Sequence, residues 1–181
     1  MKESLKLLNF KDADPKFIEV TLEQIKNQEL LVTYKLRQKD VDPKIFSSKE
    51  FKVLEKGKDL WKKTCFECFF FDEWSEQYFE LNISLDGKYD LMSFETYRKQ
   101  SSIEAPIKVS NLSVKKVQDF VYVSFGFETW FKKPHFIAPT VILDGPTEQF
   151  FFALKHSDKK PDFHIKKIPS GELKIHTIFI K

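Results

Sequence analysis

Tyr78-Phe79-Glu80-Leu81-Asn82-Ile83-Ser84-Leu85-Asp86-Gly87 is the stretch on which the fold turns. Tyr78, Glu80, Asn82 and Ser84 alternate with Phe79, Leu81, Ile83 and Leu85. A period of two belongs to a strand and sends the apolar set to one face, where it meets a core. Asp86-Gly87 then supplies a tight turn, in which glycine accepts positive φ, and a second run follows from Tyr89 to Tyr97. The segment reads as a β-hairpin.

Working outward, similar runs recur at short spacing. Phe17 to Leu22 and Leu30 to Arg37 make a second hairpin across Lys26-Asn27-Gln28. Cys65 to Phe71 precedes the opening hairpin, and Ile107 to Val114, Phe120 to Phe127, Phe136 to Leu143, Gln149 to Lys155 and Leu173 to Ile180 follow it. Residues 40–58, with Pro43 and Gly57, read as an excursion around one end, with room for a short helix. No amphipathic run is long enough for a crossover helix. The expectation is an all-β, antiparallel, jelly-roll-like β-sandwich of roughly ten strands with little helix, spanning residues 1–181 as one domain. A closed lipocalin-type barrel is the alternative; Phe150-Phe151-Phe152-Ala153-Leu154, apolar on both faces, suits it less well.

Composition agrees. The 181 residues are 41% hydrophobic and include 20 Phe but only 2 Met, so burial leans on rings and β-branched residues. Lys and Arg number 30 against 27 Asp and Glu, a net charge of +3 spread along the chain. The basic pairs Lys62/Lys63, Lys132/Lys133, Lys159/Lys160 and Lys166/Lys167 each have an acid or a proline within three residues, which suits strand edges and loops and leaves no face for nucleic acid. The start Met1-Lys2-Glu3-Ser4-Leu5-Lys6 leads into no signal-like apolar run and no run is long enough to span a bilayer, so a cytoplasmic protein without membrane contact is expected.

Enzyme signatures are missing. There is no nucleophile elbow and no Gly-rich phosphate loop, and no cofactor is expected. Cys65 and Cys68 form one C-x-x-C inside a strand, on opposite faces, and are expected as reduced, buried thiols. His156, Asp162 and His164 are the one His/carboxylate cluster; either a metal or loop-ordering hydrogen bonds would account for it. Glu67 and Glu80 are conceivable neighbours on adjacent strands, the arrangement a glycosidase requires, without a supporting motif. The chain is therefore expected not to be an enzyme.

Several polar residues nevertheless sit where a core would not choose them. Glu67 is the one charged side chain in a strand of Cys and Phe, and must be paired or must serve a ligand; Arg98 or a neighbouring lysine is its expected partner. Asn82 lies on the polar face of the opening hairpin, which alternation alone assigns to solvent or to the floor of a groove. Trp61 reads as either a core lid or an aromatic platform, and Trp74 and Trp130 stand in polar, loop-like settings where either is able to form a second wall.

Leu60-Trp61-Lys62-Lys63-Thr64-Cys65-Phe66-Glu67, Tyr78 to Gly87, Tyr97-Arg98, Ala153-Leu154-Lys155-His156 and Pro161-Asp162-Phe163-His164 together resemble DOMON-like bacterial proteins, relatives of family 9 carbohydrate-binding modules. The resemblance covers about residues 55 to 165 and implies a two-sheet sandwich with a groove on one sheet. It also implies a sugar-contacting Trp and Glu at the spacing of Trp61 and Glu67, with a second aromatic that the motif does not place and for which Trp130 is the choice. Some DOMON domains bind haem through Met and His; Met92, His156 and His164 do not follow that pattern. The expected site comprises Trp61, Glu67, Asn82, Arg98, Trp130 and His164, and the expected partner is a small-molecule ligand, carbohydrate or a similar polar compound. A structural or protein-interaction domain without a small ligand is the competing reading.

Overall fold

The computed structural model describes residues 2–10, 17–26, 28–42, 46–131, 135–145, 147–156 and 160–166. The described chain is all β with almost no helix. Its strands are β1 (Lys2–Asn9), β2 (Phe17–Lys26), β3 (Glu29–Arg37), β4 (Lys49–Phe51), β5 (Glu55–Lys56), β6 (Cys65–Asp72), β7 (Tyr78–Ser84), β8 (Lys88–Thr96), β9 (Lys99–Ser101), β10 (Ile107–Val117), β11 (Phe120–Thr129), β12 (His135–Asp144) and β13 (Gln149–Ala153). Hydrogen bonding joins them in the order β4-β10-β11-β3-β2-β1-β13-β12-β6-β7-β8-β5, with β9 on β8. Every pairing is antiparallel except the two-residue contact of β5 with β8.

Both expected hairpins form. β2 pairs with β3 and β7 with β8. Between β7 and β8, Gly87 takes φ +84°, and a Cβ there would come within 2.5 Å of the Phe51 ring. The described strands number 13 rather than about ten. β1 was not foreseen, because only Leu5 and Leu7 of its residues are buried, too few to register as a period. Within residues 40–58 the chain adds β4 and β5, and the helical turns nearby are two short 3-10 segments, Gln38–Asp40 and Leu60–Lys62. The expected strand Leu173–Ile180 lies outside the described residues.

One hydrophobic cluster runs from Leu5 of β1 to Phe152 of β13. Tyr34 of β3 shows how it closes. Its hydroxyl donates to the Glu67 carbonyl of β6 at 2.6 Å, and its ring meets Phe66 edge-on at 5.1 Å. β3 and β6 are far apart along the hydrogen-bonded path, so the sheet curls until its two halves share a core. Phe70 of β6 against Phe127 of β11, at 5.3 Å, repeats the contact. A buried phenol needs a partner for its hydroxyl, and the Glu67 carbonyl provides it.

β6 and β7 are buried along their whole lengths. Phe66, Cys68 and Phe70 face the core just described, whereas Phe69, Phe71, Tyr78 and Phe94 form a second cluster on the opposite face with Phe163. The polar side of the opening hairpin is thus covered. The edge-lying strands β4, β5 and β9 have two or three residues each and carry Lys49, Lys56 and Lys99, a combination that discourages edge-to-edge association. No described helix is long and apolar enough to cross a membrane.

Candidate functional site

The second face of β12, β6, β7 and β8 presents side chains in register. One row reads Thr140, Glu67, Asn82, Asp90, the next Ala138, Phe69, Glu80, Met92, and the next Phe136, Phe71, Tyr78, Phe94. Polar groups therefore gather toward one end of the face and rings toward the other. The segment 160–166 lies across the aromatic end, with Phe163 edge-on to Phe69 at 6.2 Å and His164 edge-on to Phe69 at 5.2 Å.

Asp162 holds that segment down. Its Oδ2 accepts from the Tyr97 hydroxyl at 2.6 Å, and its Oδ1 accepts from Arg98 Nη2 at 3.2 Å and from the His164 backbone N–H at 3.1 Å. Burial opposes its charge, but these hydrogen bonds and the guanidinium outweigh burial and keep the carboxyl below the usual range. Lys166 fixes the far end by donating to the carbonyls of Glu73 and Ser75. Arg98 adopts φ +54°, and its backbone N–H donates to the Tyr78 hydroxyl at 3.0 Å.

Beneath the segment are two buried carboxyls. Glu67 Oε2 accepts from the Thr140 hydroxyl at 3.0 Å, and burial followed by the charge of Glu80 pushes its pKa up. Glu80 Oε1 accepts from Asn82 Nδ2 at 2.8 Å. Its Oε2 makes no hydrogen bond, and the nearest basic atom is His164 Nε2 at 3.8 Å. Burial, aided by Asp90, raises Glu80 to about 7 against the hydrogen bond from Asn82 and the charge of Arg98. Asn82 Oδ1 also lacks a hydrogen bond. His164 is pushed down to about 4 by burial and then by the Arg98 charge.

A cavity of about 380 Å³ opens over this face, and Trp61, Glu67, Glu80, Arg98 and His164 line it together with Phe69, Met92, Phe94 and Phe163. Four of the six expected residues thus meet there. Trp61 is 47% exposed, which removes the core-lid reading and leaves its ring available at the cavity wall. Asn82 is fully buried and touches the site through Glu80. Trp130 lines a neighbouring hollow of about 670 Å³, which meets the first only at Met92 and Gln100, so it does not stand opposite Trp61. Trp74 lines neither. Glu67 was expected to pair with Arg98 or a neighbouring lysine; Arg98 pairs with Asp162 instead, and among the described residues Glu67 has the Thr140 hydroxyl and the Cys65 thiol as partners and no counter-charge.

Sequence reasoning undervalued Phe69, Glu80, Met92 and Phe94. The parity of Glu67 along β6 already placed Phe69 beside it, and the same alternation along β7 put Glu80 on the face of Asn82. Phe163 stands within Pro161-Asp162-Phe163-His164, where no local signal marks it for the site. The expected thiol pair is buried, unbridged and on opposite faces, with Cys68 in the main core and Cys65 beside Glu67. His156 Nε2 engages the Leu8 carbonyl at 2.7 Å. Among the described residues, no three His, Cys, Asp or Glu side chains are placed to hold a metal.

No protein-family model matches the chain, and no curated protein matches it. Among solved structures, the chain is similar to a "putative carbohydrate-binding protein" from Bacteroides uniformis, with a TM-score of 0.59 and 12% identity over 90% of this chain and 82% of that one. At that identity the likeness shows a shared fold.

Proposed function

We propose that this chain is a non-catalytic carbohydrate-binding domain, a two-layer, jelly-roll-like β-sandwich of the DOMON-like kind, with its sugar groove on the outer face of β12, β6, β7 and β8. One observation carries the reading: a half-exposed Trp61 ring on the wall of a cavity that also contains the buried Glu67 and Glu80 carboxyls. A sugar offers apolar C–H faces and a fringe of hydroxyls, and it is recognised by an accessible flat ring beside fixed hydrogen-bonding groups. The fold shared with a protein described as carbohydrate-binding supports the reading.

Hydrolysis is the second reading, because Glu67 and Glu80 lie on one face of adjacent strands. Acid–base cleavage works best when the environment separates two carboxyls into one acid and one base. Here burial pushes both in the same direction, which supports binding over turnover. Glycan-array screening followed by chromogenic glycoside assays separates the two. Binding without hydrolysis is expected; hydrolysis abolished by Glu67→Gln would replace this function with an enzymatic one.

A further inference from the structure

We propose that the group recognised at the polar end of this cavity is an ammonium, so that the ligand is an amino sugar with a free amine seated between the carboxyls of Glu67 and Glu80. The inference rests on the sugar-binding reading and narrows it to a substrate class.

The polar atoms on the face are unbalanced. Glu67, Glu80 and Asn82 are 1%, 4% and 0% exposed, and their side chains bring a surplus of acceptors. Thr140 and the Cys65 thiol serve Glu67, and Asn82 serves one oxygen of Glu80. Glu80 Oε2 and Asn82 Oδ1 then have no hydrogen bond. A buried acceptor without a donor is costly, and a buried carboxylate without a counter-charge is more so.

Among the described residues, no cation meets that need: no lysine lines the cavity, and its single guanidinium, Arg98, is engaged by Asp162. His164 Nε2 stands 3.8 Å from Glu80 Oε2, beyond hydrogen-bond reach, and His164 Nδ1 is taken by the Tyr78 hydroxyl. A sugar hydroxyl brings one donor and no charge. An amide nitrogen, as in an N-acetylated sugar, brings one donor and a bulky acyl group. An ammonium brings three donors and a full positive charge, so it serves the empty Glu80 Oε2 on the cavity wall and favours the charged form of both carboxyls at once. Uronic or sulfated sugars would meet like charge. The Trp61 ring on the same wall selects a sugar over a simple polyamine, since only the sugar offers a flat C–H face as well.

The test is a matched panel of oligosaccharides of glucosamine, galactosamine and mannosamine, each with its N-acetylated form and its hydroxyl parent, plus spermidine, titrated calorimetrically into the full chain. The free-amine member of at least one set should bind at least about tenfold tighter than both of its counterparts, the scale of one desolvated charge pair. Glu80→Gln, shown to be folded by its melting curve, should erase that preference. Equal or tighter binding of the neutral members would overturn the inference and leave the sugar-binding function standing. Binding of spermidine alone, or of nothing in the panel, would overturn both. An amine preference that survives in folded Glu80→Gln and in Glu67→Gln would also overturn it.

Discussion

The Tyr78 hydroxyl lies 2.8 Å from Nδ1 of His164 while it accepts the Arg98 backbone N–H at 3.0 Å. A hydroxyl has one proton and two lone pairs, and with one lone pair taken by Arg98 the proton is free to go to Nδ1. In that arrangement neutral His164 carries its own proton on Nε2, directed toward Glu80. Nitrogen-15 NMR at pH 6 should show His164 uncharged with Nε2 protonated, in keeping with a pKa near 4. A charged ring at pH 6, or the Nδ1–H tautomer, would contradict this hydrogen-bond chain.

Stability should depend on pH through Glu80. Its folded pKa of about 7 exceeds the reference of 4.5, so the folded state binds the proton more tightly. This contribution is complete below about pH 4.5 and is lost as pH rises through 7. His164 has the opposite sign: its folded pKa of about 4 is below 6.5, and its contribution is lost as pH falls. Comparing Glu80→Gln with the parent cancels the histidine. Between pH 5 and 8 the parent should lose more stability than the variant by on the order of 3 kcal/mol in urea titrations. Parallel pH profiles would mean that Glu80 is not held in the protonated direction.

Asp162→Ala should release the segment 160–166 from the face it covers. The change removes acceptors for Tyr97, Arg98 and the His164 N–H together. Because Arg98 is half exposed, the ion pair itself counts for little, and a global loss of about 2 kcal/mol comes chiefly from the hydrogen bonds. Trypsin should cut after Lys166 faster in the variant. Unchanged cleavage would show that Phe163 and His164 hold the segment without Asp162.

How much of this was legible in the sequence depends on distance along the chain. The Tyr78–Tyr97 hairpin was readable because its alternation and its Asp-Gly turn are local. Glu67 stood out because a carboxylate among Phe and Cys violates the pattern around it. What failed was non-local. The partner of Arg98 is 64 residues away, on a segment whose path no local signal records, so pairing it with Glu67 was a guess at geometry. Trp130 was assigned to the cavity of Trp61 on residue type alone, and the connection after β11 carries it to the neighbouring hollow. β1 was missed because a strand with two inward residues carries almost no periodic signal, even where its neighbours bury it.

Tyr34→Phe examines the curled sheet. Removing the hydroxyl leaves the Glu67 carbonyl without its 2.6 Å donor inside the core, at a cost of about 1–3 kcal/mol. The variant should keep its circular dichroism spectrum and melt earlier. An unchanged melting temperature would remove this contact as a tie between the halves of the sheet.

The sugar-binding account rests most heavily on Trp61, and calorimetric titration of Trp61→Ala with a glycan bound by the parent tests it directly. With 47% of its surface already exposed, the indole should be removable without the 3–5 kcal/mol penalty of a core ring, about as estimated for buried tryptophan. The variant should melt close to the parent and bind the glycan at least about tenfold more weakly. A folded variant that binds the glycan as tightly as the parent would contradict it.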